Sequence, residues 1–123
     1  MNGERRRALE SFGSAPAMLE DALRRFPRKM WLYKTSPDQP SIHDMVWYLA
    51  DSEAMEYVSC RRLIADPDSS APGHDSVDWS RGLGYFHQEV KAALEIIRTL
   101  RRVTYCLLKT LPEDAWTLSL IHI

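Results

Sequence analysis

The sequence predicts an all-α protein, an up-and-down helical bundle. Apolar residues recur at helical spacing over three long segments. Proline and glycine gather between those segments, and almost nothing alternates with the period of a strand. The chain has 123 residues, 45% of them hydrophobic, which suits one domain with its own core and no need of metal or disulfide support.

The first segment runs from about Gly3 to Phe26 and is expected to break near Gly13-Ser14-Ala15-Pro16. Pro16 suits the first turn of a new helix, with Ser14 as its N-cap. Met18, Leu19, Ala22, Leu23 and Phe26 then repeat at helical spacing. Pro27 to Pro40 contains three prolines, which rule out a long helix, and is long enough to cross one end of a bundle. Its Met30, Trp31, Leu32 and Tyr33 are expected to pack down onto the bundle.

The second helix begins at Ser41, where Asp44 completes a capping box in place of the usual Glu. Its stripe is Ile42, Met45, Val46, Leu49, Tyr57, Cys60, Leu63 and Ile64, and Glu53 falls on that stripe midway between Leu49 and Tyr57. Asp66-Pro67 ends the helix, and a polar loop follows to about Trp79. A third long helix is expected over roughly Asp78 to Leu111, with Gly82 and Gly84 weakening its start so that the firm part begins near Tyr85. Phe86, Val90, Ala93, Leu94, Ile97, Leu100, Leu107, Leu108 and Leu111 make its core side, and His87 points inward with them. The run Leu111-Pro112-Glu113-Asp114-Ala115-Trp116 ends it, leaving only TLSLIHI. The expectation is an incomplete bundle over residues 1–116, with the fourth helix missing or truncated, and a tail over 117–123 foreign to it.

Sixteen basic residues meet 17 acidic ones, which removes the electrostatic case for nucleic acid or an anionic membrane. Arg5-Arg6-Arg7 and Arg101-Arg102 read as solvated helix faces. No apolar run reaches the roughly 18 residues of a membrane span, and the N-terminus lacks the apolar core of a signal peptide, so a cytoplasmic location is expected. Cys60 and Cys106 read as reduced, buried thiols. No GxSxG elbow, P-loop or dinucleotide fingerprint is present. Trp31, Trp47, Trp79 and Trp116 are expected to fill the core and the helix ends; Trp31 and Trp47 are also candidates to line a small-molecule pocket.

Several stretches carry a resemblance: Ser41-Ile42-His43-Asp44 with Trp47-Tyr48-Leu49-Ala50-Asp51-Ser52-Glu53, then Cys60-Arg61-Arg62-Leu63-Ile64-Ala65, Tyr85-Phe86-His87-Gln88, and Leu111 to Trp116. In order and spacing they resemble the DinB-like (YfiT-like) superfamily of bacterial four-helix metalloenzymes, over nearly the whole chain. The resemblance implies a bundle holding a divalent metal, often zinc or nickel, on three histidines. One precedes a Leu-Ala or Ile-Ala pair in the second helix, and two lie one turn apart on the fourth. Relatives include thiol-dependent transferases and isomerases. This chain departs from that pattern twice: Tyr48 stands where the second-helix histidine is expected, and the fourth helix with its pair is absent. His122, in the tail, does not replace it.

A catalytic zinc site needs about three N, O or S ligands at about 2 Å and one open position. The four histidines, His43, His74, His87 and His122, include no His-x3-His pair. His43 is expected to be exposed in the first turn of its helix, His74 to lie in the loop, and His87 to be a hydrogen-bonded core residue. Glu53 either snorkels at the edge of its stripe or, if buried, pairs with His87, Tyr48 or an arginine, since an unpaired buried carboxylate costs several kcal/mol. Tyr48 has a histidine's bulk but, with a phenol pKa of about 10, is a poor zinc ligand. Asp44, Tyr48 and Asp51 share one face, which reads as solvated or pocket-lining, or as a weak oxygen-ligand metal site.

No catalytic residue or metal ligand is therefore assigned, and no cofactor is expected for this chain. Trp47, Tyr48, Asp51, Glu53 and His87 are the expected remnant of a pocket for a small molecule. The expected function is that of a DinB-like domain, descended from metal-dependent enzymes of the thiol-dependent transferase, isomerase or hydrolase-like kind and inactive as written. The alternative is a non-enzymatic interaction module, with a homodimer covering the apolar face that a missing helix would leave.

Overall fold

The computed structural model describes residues 2–66, 68 and 76–113, with side chains from 79 onward in the last stretch. Its regular elements are α1 (Gly3–Arg24), α2 (Ile42–Ala65), α3 (Ser76–Leu83) and α4 (Val90–Lys109), with single 3-10 turns at Arg28–Met30 and Tyr85–His87. Among the described residues there is no strand, and no helix is long and apolar enough to cross a membrane. His74, His122, Trp116, the tail over 117–123 and any helix after α4 lie outside the described residues.

The all-α bundle expected from the sequence is what the chain forms. α4 packs against both α1 and α2. At one end Leu23 of α1 meets Val46, Trp47 and Ala50 of α2 and Val90, Ala93 and Ile97 of α4; at the other, Leu9, Cys60 and Leu108 meet. These pairings make α1 antiparallel to both partners and set α2 and α4 running the same way. α3 and the turn at Tyr85–His87 lead into α4.

α1 does not break at Pro16, contrary to the expectation; the proline is buried inside a continuous 22-residue helix. A proline inside a helix orphans the carbonyl four residues back, here that of Phe12. Arg101 of α4 donates its Nη1–H to that carbonyl at 3.0 Å. Tertiary packing thus supplies the bond the helix lacks. Beside it, a methyl group at Gly13 would sit 2.8 Å from the Tyr105 ring. Gly13→Ala gains about 1 kcal/mol of helix propensity but forces a clash of about 1–3 kcal/mol. The expected net result is a lower thermal midpoint, recovered when Tyr105 is also shortened to Leu; a raised midpoint in the single variant would show that the α1–α4 contact is loose.

α2 opens as the sequence predicts: Ser41 Oγ accepts from the Asp44 N–H at 3.0 Å, and Asp44 Oδ2 accepts from the Ser41 N–H at 3.2 Å. The expected third long helix is instead two. Gly84 adopts the left-handed conformation (φ 62°, ψ 55°), which glycine takes without steric penalty, and Gln88 is extended (φ −101°, ψ 139°). This break turns Phe86 and His87 outward, correcting their placement in the core; Phe86 is 65% exposed and its ring meets His87 edge-on. Two α2 side chains one turn apart hold the break. His43 places Nε2 2.7 Å from the Tyr85 carbonyl, so that nitrogen carries the proton, and Trp47 Nε1–H donates to the carbonyls of Gln88 and Glu89 at 3.2 and 3.1 Å. His43 is therefore buried, not exposed as expected.

The connection from Arg25 to Pro40 also differs from expectation. Met30, Leu32 and Tyr33 are exposed, and Trp31 alone of the four turns in. The Trp31 indole N–H donates to the Phe26 carbonyl at 3.2 Å, and its own carbonyl accepts from the His43 N–H at 2.9 Å. Cys60 is buried, where desolvation raises its thiol pKa, opposed by nearby Arg61 and helped by Glu56. Cys106 is free but exposed, correcting its assignment to the core.

Candidate functional site

A cleft of about 360 Å³ opens between the connection, the first turns of α2, and α3. The connection contributes Lys34, Asp38 and Gln39 with Pro37 and Pro40; α2 contributes Asp44, Met45 and Tyr48; α3 contributes Ser80 and Arg81; Tyr85 closes the inner wall. The capping box fixes the start of α2, so Asp44 and Tyr48 project one turn apart into the same space. Two cations, Lys34 and Arg81, and two carboxylates, Asp38 and Asp44, line it.

Several of the polar groups are already engaged. Asp44 Oδ2 caps its helix and lies 3.4 Å from Lys34 Nζ. The Tyr85 hydroxyl donates to Asp51 Oδ2 at 2.5 Å. Tyr85 is 1% exposed and stacks on Trp47 with centroids 6.1 Å apart. Burial raises its phenol pKa; donation to Asp51, the charge on Asp51, and nearby Tyr48 and Asp44 raise it further. Tyr85 is thus a firmly protonated donor.

Of the five residues expected in a pocket, Tyr48 lines this cleft, while Trp47 and Asp51 build the wall behind it through Tyr85. Glu53 and His87 are elsewhere. Glu53 is buried, and Arg101 forks onto it, Nε–H to Oε1 at 2.8 Å and Nη2–H to Oε2 at 2.6 Å. Of the alternatives for Glu53 this is the arginine pair, and Arg101 accordingly leaves the solvated face assigned to it. Sequence reasoning missed Lys34, Asp38, Ser80 and Arg81 as cleft residues; nothing in their spacing marks them, because a crossing connection and a short helix bring them together.

Among the described residues no three His, Cys, Asp or Glu side chains converge as a metal site would require. The donors present do not fit one: His43 faces a carbonyl, Asp44 and Asp51 serve a cap and a phenol, and Tyr48 supplies a hydroxyl in place of an imidazole.

No protein-family model matches the chain, and no curated protein matches it. Among solved structures it is similar to YfiT from Bacillus subtilis, described as a probable metal-dependent hydrolase with an unusual four-helix bundle topology. The TM-score is 0.83 over 94% of this chain and 67% of the other, at 17% sequence identity. The chain has the fold of that bundle.

Proposed function

We propose that this chain is a DinB-like domain that binds a small polar molecule in the cleft over α2 and does not build the three-histidine metal centre of its enzymatic relatives from its described residues. The observation that carries this reading is Tyr48. It lines the cleft where the resemblance implies a histidine, and the carboxylates beside it are engaged by Ser41, Lys34 and Tyr85. A tyrosine hydroxyl there does not offer the imidazole nitrogen lone pair that a histidine would give a metal. Both charges line the cleft, with Lys34 beside Asp44 at 3.4 Å and Arg81 and Asp38 also in its wall, which suits a ligand carrying both charges, such as an amino acid.

Metal analysis tests the first half. The purified chain, dialysed after zinc or nickel loading, is expected to retain far less than one ion per chain, whereas stoichiometric metal lost on His43→Ala or His87→Ala would overturn the reading. Ligand-observed NMR with a mixture of amino acids tests the second: Tyr48→Ala is expected to abolish binding seen in the parent, and no binding in the parent refutes the cleft as a site.

A second reading, as an interaction module, rests on Met45 and Leu49, one turn apart on α2 and 48% and 44% exposed. Solvated apolar groups so spaced suit a second copy of the chain. A homodimer would show as a mass that rises with concentration and falls back to that of the monomer in Leu49→Lys.

A further inference from the structure

A second concavity, of about 300 Å³, lies between the C-terminal end of α1 and the start of α4. Its floor is apolar: Leu23 and Val90 are 5% and 6% exposed, and Leu94 is half-buried. The half-buried Trp31 lines it as well. Its charge is one-sided, for four cations line it against two carboxylates. Glu20 is taken by Arg98, which donates from Nε at 3.3 Å and Nη2 at 3.0 Å, and Arg24 turns to Asp21 outside the groove at 2.6 Å. Arg28 and Lys91 remain, with no carboxylate within 4.0 Å among the described residues. Glu95, one turn beyond Lys91, forms no ion pair with it. Arg28 lies over the Trp31 ring, 5.6 Å from its centroid. The positive end of the α4 dipole lies at the same end of the groove, partly offset by the carboxylate of its N-cap Glu89, which makes no side-chain capping bond.

We propose that this groove binds a small organic anion. A flat apolar body lies against Leu23, Leu94 and the Trp31 indole, and a carboxylate or phosphate head is held by Arg28 and Lys91. The site is separate from the cleft over α2 and does not depend on what that cleft binds. An apolar floor desolvates the body, while two unneutralised cations at its edge supply charge-assisted hydrogen bonds to the head. Neither alone selects the ligand: a neutral ring leaves the cations unpaired, and a bare anion leaves the floor wet.

Phenyl phosphate and benzoate are titrated into the whole chain while the indole N–H resonance of Trp31 is followed, assigned by its loss in Trp31→Phe. Both anions are expected to move it, with benzamide and inorganic phosphate binding at least tenfold more weakly. The tighter of the two anions names the head group. Arg28→Glu and Lys91→Glu are each expected to weaken binding at least tenfold, and Arg102→Glu, exposed farther along α4, to leave it unchanged; circular dichroism checks that each variant is folded, with the Gln variants replacing any that is not. Benzamide binding as tightly as benzoate, no loss in either groove variant, or an equal loss in Arg102→Glu would each overturn the proposal.

Discussion

Replacing Arg101 by methionine is expected to remove most of the chain's stability at 25 °C while leaving a folded population whose urea midpoint falls sharply. One guanidinium ties three helices together: it forks onto Glu53 of α2, bonds the Phe12 carbonyl of α1, and lies over the Phe12 ring 4.1 Å from its centroid. Without it, Glu53, only 4% exposed, keeps a charge with no partner. Breaking a buried pair from one side costs about 3–5 kcal/mol. The Phe12 carbonyl, already deprived of its helical partner by Pro16, is orphaned as well, for a further cost of about 1–3 kcal/mol. Against a total stability of about 5–15 kcal/mol for a domain, that sum removes most of the margin. Arg101→Lys recovers little, because an ammonium cannot fork onto the carboxylate and reach the carbonyl together. The double variant Glu53→Leu/Arg101→Met is expected to be more stable than Arg101→Met alone, since no charge is left buried, yet less stable than the parent, since the carbonyl stays unpaired. Urea unfolding of the four proteins measures this. A single variant within about 1 kcal/mol of the parent would mean that water reaches Glu53 and that the buried pair is weak.

The same residues show what was legible in the sequence. Glu53 could be placed on an apolar stripe by counting, and a buried carboxylate demands a partner, so an arginine was among the foreseeable answers. Which arginine was not, because Arg101 and Arg102 look alike in a local pattern and only the packing of α4 on α1 and α2 separates them. The Ser41–Asp44 box was fully legible because it is satisfied within one helical turn. The interchange of His43 and His87 shows the reverse. Helical counting carried the α4 register back to His87 and turned it inward, whereas the extended Gln88 and Glu89 end that register. His43 is buried by partners 12 and 42 residues away, the Trp31 carbonyl and the Tyr85 carbonyl, which no local pattern reports. The cleft has the same character: Tyr48 was foreseen on a polar face, but Lys34 and Arg81 reach it only through the crossing connection and α3.

Tyr85→Ala is expected to cost about 3–5 kcal/mol, as for other large-to-small changes at a fully buried aromatic. Its ring fills the space beside Trp47, and its hydroxyl engages Asp51. Tyr85→Phe keeps the ring and isolates the hydroxyl; at neutral pH it costs about 1–3 kcal/mol, because Asp51 loses its donor. The two proteins should diverge at high pH. Burial, then the bond to Asp51, raise the Tyr85 phenol pKa in the folded chain, whereas the unfolded chain titrates near the ordinary value of about 10. Above that value the unfolded state releases a proton that the folded state retains, so the stability this phenol contributes is intact below pH of about 10 and is lost above it, at up to about 1.4 kcal/mol per pH unit. The phenylalanine variant lacks that slope. The other four tyrosines are common to both proteins and cancel in the difference. Urea midpoints for parent and variant are therefore expected to converge as pH rises past 10; midpoints that fall in parallel would mean that the hydroxyl is solvated and the Asp51 bond weak. A phenol held protonated over this whole range can donate a hydrogen bond within the cleft wall but cannot accept a proton from a ligand, so Tyr85 acts there only as a donor.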